Sequence, residues 1–465
     1  MAAKSINVTD ESRSVFKTIV LLAWPVFLEQ ILTTLVQYAD TAMVGSMGAT
    51  ATAAVSISNS PIMMLNGIIM SLGVGITALV ARATGAGEPD KVRQLMRHAI
   101  IAIVFLGMPI WLLTIGLHRM IPLWMGAAPE YLDTAAQYNL IVCTGRIFMI
   151  ISMMLNSAFR GYGDTKTPLI NNTITNVVNV IFNFLLIYPT REISVFGITF
   201  TMWGAGLEVA GAAIATAIGM ACGGIIALTV AFRRSNPYRV SMKGGLKPDL
   251  KLTKQIFKIS FPAMLERLFM SSSGIFVSSS IATLGTTSVA ANSLCLTAES
   301  MSFMPAFAFQ TAATTLVGQS LGAKRPDRAK QFVKTTLIMG LVVMCFTGVL
   351  LFVFSNQLIG IFTPDQEVIA LAAKCLRFVA FMQPPQVAAW ILAGVLRGAG
   401  DTKFNFYITA STNWLVRTLW SVLCIRVFGL GLFSTQVVVM VEICTRLLLT
   451  ALRYRTGKWQ NALNH

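Results

Sequence analysis

Long apolar runs alternate with short polar interruptions from one end of the chain to the other. Read coarsely, twelve such runs cover residues 16–41, 51–81, 98–117, 133–157, 168–188, 205–231, 256–282, 288–318, 333–354, 368–395, 404–427 and 430–451. Crossing a bilayer as a helix takes roughly 20 apolar residues, and each run reaches that length. Several exceed 25, which predicts tilt, kinks or ends that project from the bilayer. Lipid offers the backbone no hydrogen-bond partner, so every run is expected to be helical. A membrane barrel would show alternating stretches of about 10 residues, and that pattern is missing. The pattern predicts an all-α integral membrane protein with 12 transmembrane helices.

The twelve runs are one six-run unit written twice. A shift of 237 residues places Pro25 on Pro262, Glu29 on Glu266 and Gly48 on Gly285. It lays Leu79–Leu95 on Leu316–Phe332 with 7 of 17 positions identical, and Arg160–Lys166 (RGYGDTK) on Arg397–Lys403 (RGAGDTK) with 6 of 7 identical. An even number of spans per unit keeps both copies in one orientation, so the repeats are parallel. The expected architecture is two pseudo-symmetric six-helix lobes around a central cavity. Residues 1–231 form the N-terminal lobe, 232–254 a cytoplasmic linker rich in Lys, Gly and Pro, and 255–465 the C-terminal lobe. Such halves rock about their shared cavity to give alternating access.

Composition agrees with a bilayer setting: 55% hydrophobic, 12% charged, mean hydropathy +0.69. Soluble domains carry about 25% charged residues. The net charge of +17 resembles a nucleic-acid signal until it is mapped. With the N-terminus inside, 28 of the 36 Lys and Arg fall on inside segments, Lys4, Arg13, Lys243 and Lys247 among them, and only Arg119, Arg191 and Arg426 outside. The other 5 lie within or at the ends of spans. This asymmetry places both termini in the cytoplasm and assigns the basic excess to topology rather than to nucleic acid. The first apolar run is too long for a cleaved signal peptide and reads as the first span. The seven cysteines all sit in apolar runs without metal spacing.

Ionisable residues inside spans are costly and mark function by default. Glu29, Thr33, Gln37 and Asp40 are spaced 4, 4 and 3, on one face of the first span. That stripe is expected to line a wet interior, with Pro25 removing a backbone donor in the same helix. Glu29, nearer the cytoplasm, reads equally well as an interfacial or interlobe contact. Asn172, Asn176, Asn179 and Asn183 form a second single-face stripe on the fifth span. Four amides can knit helices together, and they can also offer neutral oxygens to a hard cation. The second half lacks these groups: Asp40, Asn179 and Asn183 map to Val277, Val416 and Trp420. It carries Glu266 and Glu299 instead. The stripe along the cavity is therefore expected to be acidic and amide-rich, with cation chemistry concentrated in the first lobe.

Elsewhere the repeated motifs read as scaffold. The glycines of Arg160–Lys166 allow a tight turn, and Asp164 or Thr165 is placed to cap the helix that follows. Methionine pairs at Met63-Met64, Met153-Met154 and Met301/Met304 suit adaptable apolar packing or, facing a cavity, varied apolar substrates.

The span running from Pro25 to Asp40 and on through Thr41-Ala-Met-Val-Gly45, the paired Arg-Gly-x-Gly-Asp-Thr-Lys loops and the 6+6 layout together resemble the MATE family of multidrug and toxic compound extrusion antiporters, across essentially the whole chain. The resemblance implies an exporter of organic cations and amphipathic compounds coupled to H⁺ or Na⁺ uptake. Its DinF-like bacterial branch implies a coupling site of Asp40, Asn179, Asn183 and Thr216, the last in Gly211-Ala-Ala-Ile-Ala-Thr216. Asn183 departs from that branch, which usually has a carboxylate there, leaving one formal negative charge. The connection at about residues 189–204 is also longer than the compact version. A NorM-like branch adds acids on spans seven and ten. Here span seven offers Glu266 and span ten offers Gln383, without an acid. The candidate substrate-cavity residues are Glu29, Thr33, Gln37, Asn172, Asn176, Glu266 and Gln383.

A carboxylate taken out of water needs a cation to neutralise it, so Asp40 is expected to bind H⁺, or Na⁺ together with the oxygens of its neighbours. Cation and drug would then favour opposite arrangements of the lobes. No cofactor, structural metal or catalytic residue is expected: the three histidines are scattered, and no P-loop or nucleophile elbow is present. The expected setting is a monomer in the cell inner membrane whose partners are lipid and small organic molecules. A narrow-specificity metabolite exporter and a lipid-linked sugar flippase of the same superfamily remain as alternatives; basic residues lining the cavity would favour the flippase.

Overall fold

A computed structural model describes residues 14–195, 198–234, 236–240 and 248–463. Lys4, Arg13, Lys243, Lys247 and the side chains of Met63 and Met64 lie outside the described residues. Among the described residues the chain forms twelve long helices, matching the twelve apolar runs. In the first half these are α1 (Val15–Gly45), α2 (Ala49–Gly85), α3 (Pro89–Gly116), α4 (Pro129–Gly161), α5 (Lys166–Leu186) and α6 (Glu208–Phe232). The second half has α7 (Leu250–Ala282), α8 (Thr286–Gly322), α9 (Pro326–Val353), α10 (Gln366–Ala399), α11 (402–427) and α12 (Leu432–Arg455). Both ends of α2 and of α8 are 237 residues apart, the interval read from the sequence.

Nine of these helices are long and apolar enough to cross a membrane by length and composition among the described residues. The other three, α7, α8 and α11, have the length but carry interior polar groups, such as the serines at 271–273 and Arg417. Local chemistry sets the ends. Ser14 and Asp249 cap α1 and α7 through their side chains, at 3.2 Å to Lys17 N and 2.9 Å to Lys251 N. Asp164 supplies the side chain at the start of α5, accepting from Thr167 N at 2.9 Å and Thr167 Oγ1 at 2.6 Å. Its repeat partner Asp401 instead accepts from Arg453 Nε at 2.8 Å.

The long connection after α5 is a two-stranded antiparallel hairpin, β1 (Pro189–Val195) and β2 (Ile198–Ala205), pairing Glu192 with Thr201. The all-helical membrane architecture stands, with this hairpin as an addition to it. Alternating threonines and β-branched residues there favour a pleated ribbon.

The start of α1 and the segment after α12 meet on one side of the molecule, here termed the terminal side. On that side the lobes interlock. The start of α1 packs Ile19, Leu22 and Val26 into a core made by α8, α9 and α10, closed by the fully buried Trp459. The start of α7 packs Leu252, Ile256 and Ile259 into the core of α2, α3, α4 and α6. Toward the far side each lobe keeps its own cluster. α2 and α8 cross tightly on the terminal side: a Cβ on Gly85 would stand 1.9 Å from the Gln319 carbonyl oxygen, and one on Gly322 would stand 2.0 Å from that of Arg82. Ser71 donates to Ala263 O (3.2 Å), Ser260 to Leu72 O (3.1 Å) and Gln319 to Gly161 O (3.2 Å), which joins the lobes further.

Candidate functional site

Three helices of the first lobe bring Asp40, Asn179, Asn183 and Thr216 together. Asn179 and Asn183 share a face of α5 one turn apart, and α1 lies against that face. Asn183 Nδ2 donates to Asp40 Oδ1 at 2.6 Å. The Asn179 amide, turned to satisfy both groups, donates to Oδ1 at 3.0 Å and Oδ2 at 3.2 Å. Thr216 Oγ1, on α6, lies 3.4 Å from the Asn179 amide and donates to Ala212 O at 2.9 Å. Both asparagines are buried, and Asp40 is partly so. One carboxylate held between two amides and beside a hydroxyl offers a cation one charged and several neutral oxygens. The amides stand in for that cation by donating to the carboxylate.

Glu29 forms a different site. Its Oε1 accepts from Arg160 Nη2 at 2.6 Å and from Asn172 Nδ2, all within the first lobe. The second lobe repeats it: Glu266 accepts from Arg397 at 2.8 Å, Asn405 at 2.9 Å and Thr409 at 3.4 Å. The carboxylate of the stripe-forming Glu29 is therefore spent on an arginine and an amide of its own lobe. Thr33 donates to the Glu29 carbonyl at 2.8 Å, Gln37 is exposed, and Asn176 Nδ2 is buried without a hydrogen-bond partner among the described residues. Gln383 is fully buried in the second lobe, accepting from Ser302 at 2.8 Å.

Two adjoining cavities lie between these groups. An interlobe cavity of about 90 Å³ is lined by Ser71, Arg160, Glu266, Arg267, Gln310 and Arg397 among others. A neighbour of about 200 Å³ is lined by Asn156, Asn172, Met70, Met149, Met153 and Met220 of the first lobe and by Phe307 of the second. Of the candidate cavity residues, Asn172 and Glu266 line these spaces, whereas Glu29, Thr33, Gln37, Asn176 and Gln383 do not. The acidic, amide-rich lining read from the sequence is corrected here. The interlobe cavity holds three arginines against one glutamate, because the arginines of both loop motifs turn inward to meet the acids of α1 and α7. Met153 faces the second cavity, whereas Met154 is in the core.

Sequence reasoning also passed over the basic residues left inside spans. Arg146 is fully buried beside Cys143, and its three guanidinium nitrogens have no hydrogen-bond partner among the described residues. Arg417 sits in a π-helical turn of α11, near Glu442, which accepts from Thr412 at 3.1 Å and pairs with Arg446 at 3.4 Å. The rule that flagged Asp40 applies equally to these arginines.

The MatE family model matches residues 25–185 and again 262–423. The two matches begin one repeat interval apart and together cover well over half the chain. A protein named "Probable multidrug resistance protein NorM" from Thermotoga maritima is 28% identical over 97% of this chain and 94% of its own length. The "Uncharacterized transporter YisQ" of Bacillus subtilis is 24% identical over 94% of each chain. Among solved structures, a MOP superfamily transporter from Pyrococcus furiosus superposes with a TM-score of 0.88 at 20% identity, covering 99% of this chain and 100% of that one. An outward-facing multidrug resistance MATE transporter gives 0.88 at 20% identity, with the same coverage. With two helical repeats each carrying the family's match, the chain belongs to the MatE family of membrane transporters, proteins that move solutes and are not enzymes.

Proposed function

We propose that the chain is a cation-coupled antiporter that exports amphipathic or cationic compounds by alternating access, taking up H⁺ or Na⁺ at Asp40. The observation that carries this reading is the Asp40 carboxylate held by Asn179 and Asn183 inside the first lobe. A buried carboxylate attracts a cation, and the cation relieves its lost hydration. The first-lobe position agrees with the resemblance to the DinF-like branch. Lobes of residues 1–231 and 255–465, joined by 232–254, would rock about the interlobe cavity. The interlocked terminal side and the separate cores beyond it support a state closed toward the chain ends. The bias of basic residues supports cytoplasmic termini in an inner membrane.

The test is ethidium efflux from proteoliposomes under an imposed pH gradient, then under a Na⁺ gradient. Efflux should follow at least one of them and fall to the leak rate in Asp40→Asn. Gradient-driven efflux at the normal rate in that variant would sink the proposal.

The arginines of the interlobe cavity favour a second element, recognition of an anionic group. The lipid-linked sugar flippase reading draws on the same feature. The small methionine-lined space beside the arginines fits a compact amphipath better.

A further inference from the structure

Arg267 lies on α7, one residue past the paired Glu266, and about 16 Å of helix beyond the start of its apolar run at about 1.5 Å per residue. Its Cβ stands against Gly67 of α2, so the side chain projects toward the other lobe. It lines the interlobe cavity together with Arg160 and Arg397. Those two are committed to Glu29 and Glu266. Arg267 makes no hydrogen bond or ion pair with any described residue. A guanidinium at this depth is costly unless something neutralises it. Among the described residues that line the cavity, Glu266 is the one carboxylate; its charge reaches Arg267, but its oxygens are already taken by Arg397, Asn405 and Thr409.

From this we infer that the interlobe cavity binds the carboxylate of an amphipathic substrate, with Arg267 as its recognition residue. The rest of such a molecule has a place to go. The neighbouring cavity shares Met70, Ser157, Arg160 and Phe307 with this one and adds three methionines. Methionine and phenylalanine form an adaptable apolar bed for a flat or irregular ring, and a planar guanidinium matches a carboxylate bidentately. A charged head beside Arg267 and an aromatic body over the methionines together specify an aromatic or alkyl-aromatic acid, zwitterions included. This inference rests on the exporter reading for its physiological sense, but it concerns binding, which needs no gradient.

The experiment is calorimetric titration of the purified protein in detergent with 4-phenylbutyrate and with its neutral amide, in low-chloride buffer. The acid should bind at least ten-fold more tightly than the amide. Arg267→Lys, which keeps the charge but not the bidentate fork, should retain part of that preference, and Arg267→Gln should lose it. Equal binding of acid and amide, or a preference that survives Arg267→Gln, overturns the inference. If Arg267→Gln does not fold, phenylglyoxal labelling read by mass spectrometry replaces it: the acid should protect Arg267 and the amide should not, and absence of protection overturns the inference. Chloride distinguishes a resident ion from a substrate group. If chloride protects Arg267 as well as the acid does at equal concentration, the site is a halide site and the substrate assignment falls. Ethidium efflux that fails in wild type while the acid still binds through Arg267 would overturn the antiport reading alone.

Discussion

Arg160 Nη2 donates to Glu29 Oε1 at 2.6 Å, joining the two motifs that the first half of the chain shares with the second. Arg397 and Glu266 repeat the contact at 2.8 Å. Both carboxylates are nearly inaccessible, at 5% and 4% exposure, so each lobe depends on its ion pair staying whole. Removing one partner of a buried pair leaves an uncompensated charge and costs roughly 3–5 kcal/mol. Arg160→Ala is therefore expected to lower thermal stability sharply. Arg160→Ala combined with Glu29→Gln should recover part of the loss, as a double-mutant cycle followed by scanning fluorimetry would show. Additive losses would mean that the pair is not coupled.

Both halves of that contact were visible in the sequence, as the Pro-Glu start of α1 and α7 and as the Arg-Gly-x-Gly-Asp-Thr-Lys loops. That they meet was not visible, because nothing in local spacing links positions 131 residues apart in the chain. The Asp40 cluster was more legible. Helical periodicity aligned Asn179 with Asn183, and family resemblance linked them to Asp40 and Thr216. Arg267 escaped notice because basic residues were weighed for topology, where one inside a span is only a remainder. The hairpin after α5 escaped because a ribbon of two short strands carries too few residues to show a period.

The crossing of α2 and α8 makes a prediction about conformation. Gly85 and Gly322 let the two helices touch backbone to backbone on the terminal side, and a side chain at either would collide with a carbonyl. Gly85→Leu should hold the terminal side apart. Thr77 lines the interlobe cavity and donates to Ser157 O at 2.8 Å. A cysteine introduced at Thr77 should react slowly with an impermeant maleimide applied from the terminal side, and several-fold faster when Gly85→Leu is added. Unchanged labelling would show that the crossing is not the barrier.

Trp459 closes the terminal-side core from beyond α12. It is fully buried, stacks on Tyr454 at 5.3 Å and donates to the Tyr454 carbonyl at 2.9 Å. Its cluster includes residues of α1, α8, α9 and α10, so the segment after α12 ties the first helix to the second lobe. Trp459→Ala should cost roughly 3–5 kcal/mol as a large cavity opens. Trp459→Phe should cost less, since it keeps the ring. Unfolding temperature in detergent ranks the two, and equal losses would mean that the hydrogen bond, not the packing, dominates.

Asn183 carries the most specific prediction for coupling. Its amide nitrogen lies 2.6 Å from Asp40 Oδ1, so replacing the amide with a carboxylate places two like charges in one buried site. Two carboxylates that close cannot both stay ionised without a cation between them. Asn183→Asp is therefore expected to bind one more H⁺ or Na⁺ per cycle than the native protein, where only Asp40 supplies charge. More charge moved per cycle makes transport respond more steeply to membrane potential. Efflux from proteoliposomes under stepped potassium-valinomycin potentials should steepen in Asn183→Asp and flatten in Asp40→Asn. If the potential dependence of Asn183→Asp matches that of the native protein, Asn183 does not share the cation with Asp40. The amide would then serve only to hold α5 against α1.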